Sequence, residues 1–115
     1  MSPETQRTIA ELQLEFRAQN ERIYASADAL AMYGPIPFVC ECADRACNEI
    51  VRLTDDEYDT ISQHPRRFFN ISGHEGPAVD AGAEQIVTVV GDLTVVVKIG
   101  VAGDIAARAR ERVLD

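Results

Sequence analysis

All three cysteines of this chain fall within eight consecutive positions, in Phe38-Val39-Cys40-Glu41-Cys42-Ala43-Asp44-Arg45-Ala46-Cys47. Cysteines that merely fill space in a core are usually scattered singly, so sulfurs packed this closely ask for a common partner. Whatever fold the chain adopts must satisfy three sulfur donors at one place. A tetrahedral metal ion does so with one further donor, and His74, in Ser72-Gly73-His74-Glu75-Gly76, supplies it. Cys40, Cys42, Cys47 and His74 are therefore read as one zinc site with three sulfur ligands and one nitrogen ligand.

The spacing is C-x-C-x4-C-x26-H. Cys-x-Cys is tighter than the commoner Cys-x2-Cys knuckle, so the match lies in the donor set and its clustering. Gly34 and Pro37 can set the approach of the segment, and small Ala43 and Ala46 leave room for a turn around an ion. His74 sits between two glycines with Pro77 just beyond, in a loop able to reach a distant ligand. These donors favour zinc over iron. His64, before Pro65, is the rival fourth ligand. Three cysteines and a histidine also hold a 2Fe-2S cluster in the mitoNEET-like iron–sulfur proteins, but there the histidine closes a Cys-Asp-Gly-Ser/Ala/Thr-His run begun by the last cysteine, and Cys47-Asn48-Glu49 lacks that run. The plainest alternative is three structural thiols.

Catalysis is not expected. Glu75 follows His74 and is the candidate general base of a zinc-dependent hydrolase. In the deaminases that pair such residues, one residue separates histidine from glutamate and a Cys-x2-Cys lies downstream; neither feature is present. Four good donors also close the coordination shell that a hydrolytic zinc keeps open. No Ser/His/Asp set, phosphate-cradling glycine loop or HExxH helix supports another chemistry. Arg66-Arg67-Phe68-Phe69 is the one basic–aromatic cluster, and its arginines are expected to pair with local carboxylates.

The formal charge of −8 disfavours direct binding to nucleic acid and suits either a basic protein partner or simple solubility. The start shows no basic region followed by an apolar run, and no apolar stretch approaches the ~20 residues of a membrane span. The expected compartment is the cytoplasm, where thiols stay reduced and available to metal.

Along the chain, Ser2 and Pro3 open a helix expected to run to about Met32, with Ile9, Leu12, Phe16, Ile23 and Leu30 as its apolar stripe. Gly34-Pro35-Ile36-Pro37 stops it. Residues 49–53 read as a strand, and Thr54-Asp55-Asp56-Glu57 as a capping box opening a helix that His64-Pro65 ends, with Tyr58 and Ile61 buried. Residues 66–71 read as a strand, and Ala78 to Ala83 as a small-residue connection. Gln85–Val90 and Leu93–Ile99 form a hairpin about Gly91-Asp92, expected to be covered on both faces. Asp104 to Leu114 reads as a capped helix facing inward through Ile105, Ala109 and Val113.

The fold expected is α+β: a long N-terminal helix (1–33, part of the same domain) on a small antiparallel sheet within a zinc-binding unit (34–115). The sheet joins the hairpin to one or two of the strands near 49–53 and 67–71. Zinc would pin the 38–47 loop to the 72–77 loop. A helix near 45 Å is more than so small a domain covers, so part of its stripe is expected to meet a protein partner or a second copy.

Phe16-Arg17, Asn20-Glu21-Arg22-Ile23, Phe38-Val39-Cys40-Glu41-Cys42-Ala43-Asp44 with Cys47, Glu57-Tyr58, Pro65 with Arg67-Phe68, and Gly73-His74-Glu75 together resemble a group of small uncharacterised bacterial proteins, chiefly actinobacterial. The resemblance spans about residues 16–100. It implies that the four donors belong together and brings no activity with it. The expected function is a non-catalytic zinc-binding interaction module of a regulatory kind. The alternative is a thiol-based metal or redox sensor that switches partner binding when zinc is released.

Overall fold

The computed structural model describes residues 2–31 and 34–114, with side chains up to Arg110. Helix α1 runs Pro3–Ala29, and the Ser2 hydroxyl caps it by accepting from the Thr5 N–H at 3.2 Å. The expected end at Met32 lies outside the described residues. Twenty-seven residues make a rod of about 40 Å. That nearly equals the longest dimension of the molecule, 43 Å.

The buried face of α1 differs from the expected stripe. Leu12 and Phe16 are buried, but Ile9 and Ile23 are only half-buried and Leu30 is 74% exposed. The seam against the protein runs instead through Ala10, Gln13, Arg17, Asn20 and Ala27. Three of those five are polar, which hides the seam from a hydrophobic reading. They are tolerated inside because each finds a partner there.

Strand β1 (Ile36–Val39) pairs antiparallel with β2 (Ile50–Leu53), setting Ile36 opposite Leu53 and Val39 opposite Ile50. The reading of 49–53 as a candidate strand of the hairpin's sheet is thus corrected. The cysteine loop doubles the chain back, and a ribbon forms between its two arms, continued by Cys40 N–H to the Glu49 carbonyl at 3.1 Å. Helix α2 (Asp55–Ser62) opens on the capping box: Glu57 N–H to the Thr54 hydroxyl at 3.1 Å and Thr54 N–H to the Glu57 carboxylate at 2.8 Å. Its buried side carries Tyr58 and Ile61, as its periodicity indicates.

Strand β3 (Arg67–Ile71), a one-turn helix α3 (Gly76–Asp80), β4 (Glu84–Val90), β5 (Leu93–Lys98) and α4 (Gly100–Leu114) complete the chain. The three strands form an antiparallel sheet in the order β3-β5-β4. Helix α3 occupies part of the stretch expected to be a plain connection, and α4 begins four residues before Asp104. Ala102 and Ala106 are buried on α4, while Ile105 and Ala109 are half-buried. The side chain of Val113 lies outside the described residues.

The hairpin turns at Gly91-Asp92, but its faces are not both covered. The register shifts between Ile86 and Thr88, so Ile86 faces Val96 and Thr88 faces Val95, leaving Val87 as a bulge. As the outer strand, β4 exposes Ile86 (51%), Val87 (40%), Val89 (54%) and Val90 (67%). The main core packs against β3 and β5 and takes no residue from β4. Phe38 stacks on Tyr58 at 4.2 Å between ring centroids, and Phe69 meets both edge-on at 6.1 Å. Ile36, Val51, Leu53, Ile61 and Val95 close around the rings, and Cys40 and Cys42 belong to the same cluster. α1, the two sheets and a C-terminal helix therefore make an α+β fold with the cysteine loop rooted in its core.

Candidate metal centre

Three pieces of chain build the site. Cys40 follows directly on β1, with Cys42 two residues on. The loop then turns tightly, with Ala46 N–H to the Asp44 carboxylate at 2.9 Å and Cys47 N–H to the Asp44 carbonyl at 3.0 Å, which presents Cys47 from the other side. β3 ends at Ile71, and Gly73 turns its successor loop with φ +99°, a conformation that side-chain-bearing residues rarely adopt. The turn is closed by His74 N–H to the Ile71 carbonyl at 3.0 Å, and it aims His74 back at the cysteines.

Cys40, Cys42, Cys47 and His74 come together with one donor atom each, all within 4.8 Å of one another. Bond lengths of about 2.3 Å to sulfur and about 2.05 Å to nitrogen make the sulfur-to-nitrogen edge of a tetrahedron about 3.6 Å. His74 Nδ1 stands 3.5 Å from Cys40 Sγ and 3.7 Å from Cys47 Sγ. The residues fit a single tetrahedral ion. A two-iron cluster spreads its ligands over two metals and sets the pairs farther apart than this. His64 is exposed beyond the end of α2 and is not one of the group.

The electrostatics of the sulfurs suit a cation. A hydrogen bond from the Cys40 thiol brings the Cys42 thiol down to about 5, against the effect of its burial. The same bond, together with burial, pushes Cys40 far up, and burial also raises Cys47. A divalent ion is what allows all three to be thiolates. The Ile71 N–H also points at Cys40 Sγ, at 3.3 Å, and stabilises charge there.

Glu75 is not one of the donor group. Its carboxylate accepts from the Gly73 N–H at 3.1 Å and from Asn70 Nδ2 at 3.2 Å, bracing the loop that carries His74. Burial opposes its ionisation, yet these hydrogen bonds hold it below the ordinary carboxylate value. Arg66 leaves the basic–aromatic cluster to bond the Gly103 carbonyl at 3.1 Å and Asp104 at 3.4 Å, while Phe68 and Phe69 are core residues.

Reading the sequence missed the residue between the first two ligands. Glu41 is fully buried and salt-bridged to Arg17, with Nε at 2.6 Å and Nη2 at 2.8 Å from its two oxygens. Asn20 Nδ2 and the Phe69 N–H add bonds of 3.0 and 3.1 Å. The available signal was the run Gln13, Arg17 and Asn20, polar residues at helical spacing on a helix that must bury one face. Gln13 links this group to a second buried pair, donating to the Glu41 carbonyl at 3.2 Å and to Glu84 at 3.0 Å, with Lys98 bonded to both Gln13 and Glu84.

No helix of the described residues is long and apolar enough to cross a membrane. Comparison with protein-family models, with curated proteins and with solved structures returns no match to this chain. The reading of the centre therefore stands on its own donors: three cysteines and a histidine placed to hold one metal ion.

Proposed function

We propose that this chain is a small cytoplasmic regulatory protein in which zinc plays a non-catalytic part, fixing the cysteine loop so that the surface around α1 can receive a protein partner or a second copy. The observation that carries this reading is the closed donor set: four good ligands within 4.8 Å leave a tetrahedral zinc no open position. The engagement of Glu75 with Gly73 and Asn70 supports a bracing role over that of a general base. A groove between α1 and β1, lined by apolar Ile23, Ala27, Leu30, Ile36 and Pro37 with polar Gln19, Arg22 and Ser26 on the helix side, supports the reading of a partner surface on α1.

Cobalt substitution tests the closed shell. The cobalt form should show the intense absorption of tetrahedral sulfur-rich coordination, unmoved by azide or cyanide. A spectrum that shifts on adding either anion reports an open position and favours the zinc-dependent hydrolase. One observation favours the sensor reading as a second choice: Cys47 and His74 are only half-buried, so oxidant can reach the site from solvent. Reversible zinc release by peroxide, followed by altered partner binding, distinguishes a sensor from a static module.

A further inference from the structure

We infer that the metal site and the second half of α1 are coupled through Glu41, so that holding the metal seats the helix and seating the helix tightens the metal. This rests on the metal-binding reading of the four donors. In extended backbone, successive side chains point to opposite sides. Cys40 and Cys42 give their sulfurs to the metal side, and Glu41 between them sends its carboxylate the other way, into α1. One short segment is therefore gripped on both faces.

The grip on the helix side is dense. Arg17 bonds both carboxylate oxygens, at 2.6 and 2.8 Å, and reaches on to the Arg67 carbonyl at 2.7 Å. Asn20 bonds Glu41 at 3.0 Å and clasps Val39, immediately before Cys40, through its N–H at 2.8 Å and its carbonyl at 2.9 Å. β3 holds the same segment from behind, with Glu41 N–H to the Phe69 carbonyl at 3.0 Å. The first half of α1 has other anchors, notably Ala10 packed against Ala102 of α4 and Gln6 bonded to the Ala81 carbonyl at 3.1 Å. Glu21 keeps its own bond from the Tyr58 hydroxyl at 3.0 Å, so releasing the cysteine segment loosens α1 most around Arg17 and Asn20, beside the α1–β1 groove. Linkage requires the reverse effect with the same magnitude: changes in the helix-side grip alter metal affinity without touching a ligand.

Two measurements test this. Asn20→Ala should weaken zinc, measured by competition with a chromophoric chelator, by about 5- to 150-fold. The cobalt spectrum should keep its shape, because the ligands are unchanged. In the wild type, stripping the metal should speed amide hydrogen exchange in α1 around Arg17 and Asn20 at least about tenfold more than in β5. The wild-type comparison decides even where the variant folds poorly. Unaltered zinc affinity in Asn20→Ala, or equal changes in exchange in the two segments, overturns the coupling and leaves the metal site standing. A wild type that takes up no zinc removes both.

Discussion

Glu84→Gln tests the buried polar layer most sharply. The Lys98 and Glu84 side chains are 1% and 0% exposed, and among the described residues Glu84 is the only anionic partner bonded to the Lys98 ammonium. The glutamine keeps the shape and can still accept from Lys98, but the counter-charge is gone. Burial already pulls Lys98 below its ordinary value, with Glu84 the main opposing influence. In the variant the amine either remains a buried, unpaired cation, at about 3–5 kcal/mol, or releases its proton. From an ordinary value near 10.4, that release costs about 4.6 kcal/mol at pH 7 and about 1.9 kcal/mol at pH 9. The folded variant then binds fewer protons than the unfolded chain, so its stability rises with pH. Urea unfolding of the metal-loaded proteins should give a difference from wild type of about 3–5 kcal/mol at pH 7, or about 12–20 °C in Tm for a chain this long. The difference should shrink by pH 9. Adding Lys98→Met should recover about 2 kcal/mol or more, since it removes the stranded charge. A Glu84→Gln protein within about 1 kcal/mol of wild type at pH 7, or with a deficit that does not change with pH, refutes the reasoning.

Other outcomes follow from single contacts. An added Cβ at Gly103 would stand 2.7 Å from the Lys98 carbonyl oxygen. Gly103→Ala must therefore lift α4 off β5, and thermal unfolding should register a loss of about 1–3 kcal/mol. Burial drives the Tyr58 phenol far above its ordinary value. Its contribution is complete below about pH 10 and is lost as pH rises beyond that, so Tyr58→Phe should show a shallower alkaline decline in stability than wild type. Val90 is 67% exposed on the outer strand of its sheet. Val90→Lys should leave stability within about 0.5 kcal/mol of wild type, and light scattering after heating should show less aggregation.

Local chemistry made much of this fold legible in the sequence. The capping box at Thr54 and Glu57, the Gly91-Asp92 turn and the Ser2-Pro3 start are short-range signals, and each marks an element where the structure has one. The donor group was legible for the same reason, since cysteines so close together restrict their partners to a few residues. Pairing partners and burial were harder. Nothing local tells residues 50–53 to pair with 36–39 rather than with the hairpin; that choice follows from how the cysteine loop folds back. The valines of β4 read as covered because apolar side chains usually are, yet the strand lies at the sheet's edge. Arg17, Asn20 and Gln13 read as solvent-facing by type. Their burial depends on Glu41 and Glu84, residues distant in sequence whose carboxylates accept the hydrogen bonds these side chains donate.

The central claim is that Cys40, Cys42, Cys47 and His74 hold one zinc ion that stabilises the fold. Metal analysis of protein purified without added metal tests it most directly, repeated on Cys42→Ser, His74→Ala and His64→Ala. The account predicts one zinc per chain in the wild type and in His64→Ala. Zinc should be lost or weakened in Cys42→Ser and His74→Ala, with stability falling by several kcal/mol, since ligation contributes to folding. A wild type free of metal, or a His74→Ala variant that retains zinc with undiminished affinity, would contradict it.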